Sequence, residues 1–340
     1  MTLNLSPILH KAIERPLSED DAREAALALM TGDVPPAQAG GLLGALRVRG
    51  ENCGEILGFA RALREQAAPF ALAGEGLIDT CGTGGDGLST FNVSTLAGLV
   101  AAACGARVAK HGNRAVSSRC GSADLLEALG VRIDGPAQVA ARCIDEAGFG
   151  FLFAPHYHPT LRKLAPLRRE LGFRSIFNLV GPLANPANVR RQVVGVPAAS
   201  YLRPVAEALR SLGVEHAMVV HGEDGADEIS LTGLTTAFEV RPDGLSSLVI
   251  HPEDAGLKVC RSEDVAGGDA TQNAVIAGRI LSGERGPAHD FVVLNAAAAL
   301  VVAGRAGSLR EGADQAREAL LSRRARAVLD SVKRISGEAE

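Results

Sequence analysis

The chain has no tryptophan, and aromatic residues make up only 4% of its 340 residues. Its core must therefore be assembled from Ala, Leu, Val and Ile. It also lacks a Cys-x-x-Cys pair: the six cysteines (Cys53, Cys81, Cys104, Cys120, Cys143 and Cys260) are scattered. That spacing argues against a disulfide frame or a zinc site and for free thiols in a reducing compartment. No apolar stretch reaches the ~18–20 residues that span a bilayer, and Phe291 to Gly304 is among the longest. Met1 to Arg15 carries no signal-peptide apolar core, so the expectation is a cytoplasmic protein with no membrane partner. An excess of one charge is lacking as well, with 35 basic against 39 acidic residues and a net charge of −4. This balance gives no general attraction to nucleic acid or an anionic membrane, while leaving room for a local basic cleft.

What is present is ordinary globular material, 46% hydrophobic and 22% charged, enough for one large domain or a large and a small one. From the N-terminus to about Pro69 the pattern is helical. Ile8, Ala12 and Ile13 keep helical spacing, Ser18 to Asp21 resembles a capped start for Ala22 to Met30, and Pro36 is placed to open the next helix, through Leu46. Gly50 to Cys53 breaks the chain before a further helix from Glu55 to Gln66. Helices this short need a partner surface, and dimerisation is the simplest use for most of this segment. From Gly76 short apolar strands alternate with helices. Strands are expected at Leu77–Asp79, Arg107–Ala109, Phe149–Phe153, Val193–Val196, Ala217–Val220 and Ser247–Ile250. Helices are expected from Asn92 to Cys104, from a Ser122 cap to Leu129, over Pro136–Ala147 and over Val205–Leu212. The tail reads as helices at Ala270–Leu281, Phe291–Ala303 and Glu311–Val332. The fold class is α/β: a small N-terminal helical domain, residues 1–73, beside a large α/β domain, residues 74–340, with a central, mostly parallel sheet.

The chemistry concentrates in a few loops. Between Gly82 and Gly87 stand four glycines, followed by Ser89, Thr90, Asn92, Ser94 and Thr95 and then by an apolar helix. Such a turn can aim several N–H groups at one anion, and Asn92, Ser94 or Thr95 can cap the helix behind it; a tight strand-to-helix connection is the plain alternative. It is not a Walker loop, since no Gly-Lys-Ser/Thr follows, nor a dinucleotide fingerprint, since the helix starts too late. Lys110-His111-Gly112-Asn113-Arg114 puts cations, an imidazole and an amide after the next strand, at the same end of a parallel sheet. Two anion-friendly loops at one sheet edge suggest a ligand with more than one phosphate. Asp227-Glu228, after the strand ending at His221, could hold Mg²⁺ through oxygen ligands or form a solvated acidic turn. A third polar set comprises His156, His158, Arg162, Lys163, Arg168, Arg169 and Arg174, and an Arg among apolar residues is a natural carboxylate partner.

The segments GTGGDG, FNVST, KHGNRAVSSRCGSADLLEALG, PHYHP, APLRRELG, RSIFNLVGPLANPA, GADEIS and GGDATQNA, in this order, resemble the anthranilate phosphoribosyltransferase family. The resemblance runs from the first helices to about Ala303. It implies the fold shared with pyrimidine nucleoside phosphorylases, with helices near residues 160–185 joining the helical domain. It also implies a homodimer through that domain and transfer of a phosphoribosyl group from 5-phosphoribosyl 1-diphosphate to the amine of anthranilate. By that resemblance, Gly82, Gly85, Asp86, Thr90, Asn92, Val93, Ser94 and Thr95 surround the diphosphate. Lys110, His111, Gly112, Asn113, Arg114, Ala115, Val116, Ser117, Ser118 and Ser122 close over diphosphate and ribose phosphate. Gly82, Asn113, His158 and Arg168 line the anthranilate route. Ser94, Asp227 and Glu228 hold Mg²⁺, a pair of ions in each site, and no residue acts as a covalent nucleophile. The chain departs from the family pattern at Cys120, where many relatives have Ser, and at Arg323-Arg324-Ala325-Arg326. A nucleoside phosphorylase of the same fold would begin its glycine loop with Lys-His-Ser, where this chain has Asp79-Thr80-Cys81. A non-catalytic nucleic-acid-binding relative would be net basic and would have lost Asp227, Glu228, His158 and Arg168.

Overall fold

The structure, a computed structural model, describes residues 3–72, 75–84, 87–88, 90–115 and 118–338. Four helices come first: α1 (Ser6–Glu14), α2 (Glu19–Thr31), α3 (Pro36–Arg49) and α4 (Cys53–Glu65). Their ends follow the punctuation of the sequence. Ser18 accepts from the Asp21 N–H at 3.1 Å, Pro36 opens α3, and Asn52 and Glu55 exchange backbone bonds of 2.9 and 3.0 Å in a capping box. Gly58 lets α2 and α4 cross closely, because a Cβ there would overlap the Glu19 carbonyl.

The α/β part follows as β1 (Leu77–Gly82), α5 (Val93–Ala103), β2 (Arg107–Gly112), α6 (Ser122–Ala128), α7 (Ala137–Ala147) and β3 (Phe149–Phe153). Then come α8 (Ala154–Tyr157), α9 (Leu161–Leu171), α10 (Ile176–Val180), β4 (Arg191–Gly195), α11 (Leu202–Ser211) and β5 (His216–Gly222). The chain closes with β6 (Thr235–Arg241), β7 (Gly244–Ile250), α12 (Ala270–Leu281), α13 (Pro287–Val302), α14 (Leu309–Leu321) and α15 (Arg324–Gly337). The strands form one sheet in the order β3-β2-β1-β4-β5-β6-β7. β3, β2, β1, β4 and β5 are parallel; β6 and β7 are antiparallel additions at one edge.

Each strand feeds two cores by alternation. Val193, Met218 and Val220 pack with α5, α13 and α14, while Val194, Ala217 and Val219 pack with the N-terminal helices and α11. Leu164 of α9 and Ile176, Phe177 and Leu179 of α10 enter that second core, so this later segment buries its apolar face against α2, α3 and α4. All six cysteines are free thiols. Among the described residues no helix is long and apolar enough to cross a membrane.

Three expectations need correction. The last helix is not continuous from Glu311 to Val332: Arg323 takes a left-handed conformation (φ 61°) and separates α14 from α15. Ser122 is the first residue of α6 and not its cap; Gly121 holds that place, its N–H donating to Asp124 Oδ2 at 2.8 Å. Asn92 does occupy the cap position of α5, but its side chain makes no capping bond. Strand β6 had no counterpart in the sequence reading, because Thr235-Thr236-Ala237-Phe238-Glu239 mixes polar and apolar residues without a dense apolar run.

Candidate active site

The loops singled out from sequence leave the sheet at one edge, beyond the C-terminal ends of β1, β2, β3 and β5. Their side chains meet through buried polar contacts. Lys110 on β2 is only 2% exposed, and its ammonium donates to the Thr80 carbonyl on β1 and lies 3.5 Å from Ser94 Oγ at the start of α5. A buried cation is costly without a counter-charge. Asp79, one residue before Thr80, supplies a fully buried carboxyl that accepts from Asn185 Nδ2 at 2.8 Å and from the His111 N–H at 3.3 Å. Burial pushes the Asp79 carboxyl up to about 6, against the lowering pull of the Lys110 charge. Asn185 also donates to the Ala109 carbonyl at 2.8 Å, so one amide ties the 182–188 loop to both β1 and β2.

On the same side lie two imidazoles with ring centroids 5.2 Å apart, those of His111 and His158. The His158 Nε2 sits 3.0 Å from the Ala184 carbonyl, which can only accept, so Nε2 carries the proton and Nδ1 is the acceptor. That Nδ1 and the His111 Nε2 are buried with no partner among the described residues. Burial holds both rings below the usual imidazole range, His111 down to about 3 with a further contribution from His158, so both are neutral at pH 7. Arg168 on α9 donates to Asn178 Oδ1 at 3.3 Å and lies 5.8 Å from the Phe177 ring centroid, its pKa lowered by burial and by nearby Arg174. Arg174 reaches further, to the Thr83 carbonyl at 2.9 Å, and so links the α9–α10 segment to the glycine loop.

The acidic pair is brought to that loop as well. Gly84 donates its N–H to Asp227 Oδ2 at 2.5 Å. The approach requires two glycines: a Cβ at Gly82 would overlap the Asp227 carboxylate, and a Cβ at Gly195 would overlap the Asp227 carbonyl. Asp227 is buried and Glu228 half-buried beside it. Among the described residues no three His, Cys, Asp or Glu side chains cluster as a preformed metal cage.

Several expected site residues are braced by the fold. Asn92 donates to the Cys120 carbonyl at 2.9 Å and accepts from Asn273 Nδ2 at 3.0 Å, while the Asn273 oxygen takes the Gly268 N–H at 2.7 Å. This network, with a Thr90–Ala266 bridge, seats the GGDATQNA motif against the start of α5. Val93 and Thr95 are buried inside the first turn of α5. The Asn113 carbonyl accepts from Ser122 Oγ at 3.4 Å, and Ala115 donates its N–H to Asp124 Oδ2 at 2.8 Å. A Cβ at Gly112 would overlap Ser122 Oγ. Arg114 points its guanidinium to Glu127, at 2.8 Å from Oε1, and Ser118 is exposed on the loop. Gly85, Asp86, Val116 and Ser117 lie outside the described residues. Sequence reasoning missed Asp79, Asn185, Asp124 and Asn273 as braces; a lone carboxylate inside the apolar strand Leu77-Ile78-Asp79 was the available signal.

The architecture has close counterparts. Residues 6–67 match the family model described as glycosyl transferase family, helical bundle domain, and residues 74–326 match the one described as glycosyl transferase family, a/b domain. A helical bundle joined to a parallel sheet with polar loops at one edge thus defines a two-part glycosyl transferase. The anthranilate phosphoribosyltransferase of Rubrobacter xylanophilus is 52% identical over 326 residues, 96% of this chain and 95% of that protein. The crystal structure of the Thermus thermophilus anthranilate phosphoribosyltransferase is similar with a TM-score of 0.91 and 48% identity, covering 97% of this chain and 99% of that one. That of Saccharomyces cerevisiae in complex with PRPP and Mg has a TM-score of 0.90 and 26% identity, covering 98% of each chain; the same yeast enzyme is also known in complex with 4-fluoroanthranilate. The chain belongs to the anthranilate phosphoribosyltransferase family.

Proposed function

We infer that this chain transfers the phosphoribosyl group of 5-phospho-α-D-ribose 1-diphosphate to the amine of anthranilate. The products are N-(5-phosphoribosyl)anthranilate and diphosphate, a step in L-tryptophan biosynthesis. The observation that carries the reading is the joining of the glycine loop to Asp227, with Lys110, His158 and Arg168 arranged around the same sheet edge.

The anthranilate amine is neutral at pH 7, so its lone pair attacks the anomeric carbon without prior deprotonation. The nitrogen–carbon bond forms as the carbon–oxygen bond to diphosphate breaks, and the nitrogen then gives up a proton to water. Positive charge builds on the ribose while negative charge builds on the leaving oxygen. The Lys110 ammonium, fixed by Thr80, would sit beside the departing diphosphate with the N–H groups of the Gly82–Thr95 turn. Arg168 would take the anthranilate carboxylate, and Asn113 and His158 would line the approach of the amine; His158 Nδ1 is an acceptor suited to an amine N–H. The buried Asp227 and half-buried Glu228 carboxylates and the Ser94 hydroxyl form an oxygen-only donor set that fits Mg²⁺. Magnesium, when bound, neutralises the diphosphate and improves it as a leaving group. The thiols stay out of the chemistry: burial pushes Cys81 well above its usual range and Cys120 up to about 11.

The reading includes a cytoplasmic homodimer joined through the helical domain, residues 1–73, with the large domain filling residues 74–340. Ile13 and Val48, 65% and 89% exposed, support the dimer, since they stand on adjoining ends of α1 and α3 where Arg49 Nη1 meets the Ala12 carbonyl at 3.2 Å. Light scattering of the purified protein tests this, and a monomer at micromolar concentration overturns it. The activity itself is tested by the native fluorescence of anthranilate. Its loss should require protein, donor and Mg²⁺ together and stop with EDTA; no loss with folded protein overturns the acceptor assignment.

A further inference from the structure

Asn295 stands in the middle of α13, flanked by Leu294 and by Ala296 to Ala299, and is only 3% exposed. Its side chain is fully engaged. Oδ1 accepts the Ile229 N–H at 3.0 Å, while Nδ2 donates to the Ile229 carbonyl at 3.0 Å and to the Phe291 carbonyl at 3.1 Å. Only this orientation of the amide matches donors to acceptors, since a flip would face NH₂ against N–H. One helix side chain thus pairs both backbone groups of a single loop residue 66 positions away.

That residue is the one after Glu228. The Ile229 N–H and the Glu228 carbonyl share one peptide plane, so holding the N–H fixes the orientation of the Glu228 backbone. The loop is held on two other sides. Asp224 accepts from the Ala226 N–H at 3.1 Å, Ser230 Oγ at 2.7 Å and Thr232 Oγ1 at 2.5 Å, and Asp227 rests on Gly82 and Gly195. Ile229 is itself fully buried, so without Asn295 its two backbone groups have lost their partners in a dry core.

We infer that Asn295 is a positioning residue that sets the geometry of the Asp227–Glu228 carboxylates for the divalent cation and thereby for the diphosphate. It touches neither substrate nor metal and acts through the Ile229 peptide. This rests on the reading of Asp227 and Glu228 as magnesium ligands.

The test uses the full chain, and its first readout needs no turnover. Binding of 5-phosphoribosyl 1-diphosphate is followed by calorimetry across a Mg²⁺ titration, without anthranilate, for wild type, Asn295→Asp, Asn295→Ser and the Asp227→Ala/Glu228→Ala double variant. Asn295→Asp keeps an acceptor for the Ile229 N–H and loses both donors. Its Mg²⁺ half-saturation should rise about tenfold or more, while KM for anthranilate at saturating Mg²⁺ stays at the wild-type value. Asn295→Ser, with room for a water, should shift less. A lowered Tm with unchanged Mg²⁺ half-saturation makes Asn295 structural only and overturns the inference. Where neither variant folds, hydrogen exchange of the 223–232 segment in wild type decides: Mg²⁺ plus donor should slow it, and unchanged exchange overturns the inference. If the double variant keeps normal Mg²⁺ dependence, the metal reading falls and takes the inference with it. If the double variant loses that dependence while the Asn295 variants keep it, the inference alone falls.

Discussion

The Gly84 N–H donates to Asp227 Oδ2 at 2.5 Å, joining two loops 143 residues apart in the chain. The contact depends on what is missing from the two strand ends beneath it. At Gly195 a Cβ would overlap the Asp227 carbonyl, and backbone cannot swing aside as a flexible side chain can. Gly195→Ala is therefore expected to displace Asp227. The displacement should lower kcat/KM about 100-fold or more, and overpacking should destabilise the fold by about 1–3 kcal/mol. Gly278 in α12 has open space where its Cβ would stand, so Gly278→Ala should leave activity intact and stabilise by about 0.5–1 kcal/mol. Steady-state rates and thermal melts of both variants check this. Full activity in Gly195→Ala would show that Asp227 does not need its seat.

Lys110 is the second test. Lys110→Met keeps the shape of the stem and removes the ammonium between Thr80 and Ser94. Loss of a preorganised charge at the leaving group should lower kcat about 100- to 1000-fold. The stability cost should depend on pH, because Asp79 is then a buried carboxylate without its cation. Asp79 is protonated in the folded protein below about 6, against an ordinary value of 3.8, so its ionisation costs stability as pH rises through that window. The Tm difference between wild type and Lys110→Met is expected to be larger at pH 8 than at pH 5. A difference independent of pH would break the pairing of Asp79 with Lys110.

These residues also show what was legible in the sequence. Strands with dense apolar runs and loops with unusual local composition were readable, because the cause of the structure is local. Glycines before a helix, Lys110 to Arg114 after a strand and Asp227-Glu228 all announce themselves in this way. The parts that escaped are non-local. Nothing near Asn185 says that its amide will reach Asp79 and Ala109, and nothing near Arg174 says that it will meet the Thr83 carbonyl instead of water. Asn295 hides in an apolar helix where one polar residue is easily discounted. Strand β6 escaped because it pairs antiparallel between β5 and β7, with one face partly wet and little apolar signal. Asn92, one of three residues whose place suits them to cap the helix, has its side chain claimed instead by tertiary contacts with Cys120 and Asn273.

His111 offers a titration with a definite sign. Burial and the neighbouring His158 hold it down to about 3 in the folded protein, against an ordinary 6.5. Between those values the unfolded chain binds a proton that the folded one refuses, so stability falls as pH drops below 6.5. For this group the slope is about 1.4 kcal/mol per pH unit, or about 2 kcal/mol between pH 6.5 and 5. Asp79 acts in the opposite direction over part of the same range, because its folded pKa is raised. His111→Asn removes the first contribution and leaves the second, so its acid loss of stability should be shallower than that of wild type. Urea unfolding at pH 7 and pH 5 measures the difference. Parallel losses in the two proteins would mean that His111 takes up its proton in the folded state as readily as in the unfolded one.

Arg168 carries the acceptor assignment. It donates to Asn178 and lies over the Phe177 ring, and among the described residues no carboxylate forms an ion pair with its guanidinium. A bond from a charged group contributes about 1.5–3 kcal/mol, so Arg168→Ala should raise KM for anthranilate roughly 10- to 100-fold. KM for the phosphoribosyl donor should stay unchanged. Arg168→Lys should recover only part of the loss, since an ammonium cannot bind a carboxylate through two parallel N–H groups. A change of substrate separates this from a general disturbance of the site. Aniline keeps the attacking amine and lacks the carboxylate, so wild type should use it poorly and Arg168→Ala should use it no worse. If the variant loses activity equally with anthranilate and aniline, Arg168 supports the fold of the site and the carboxylate is bound elsewhere.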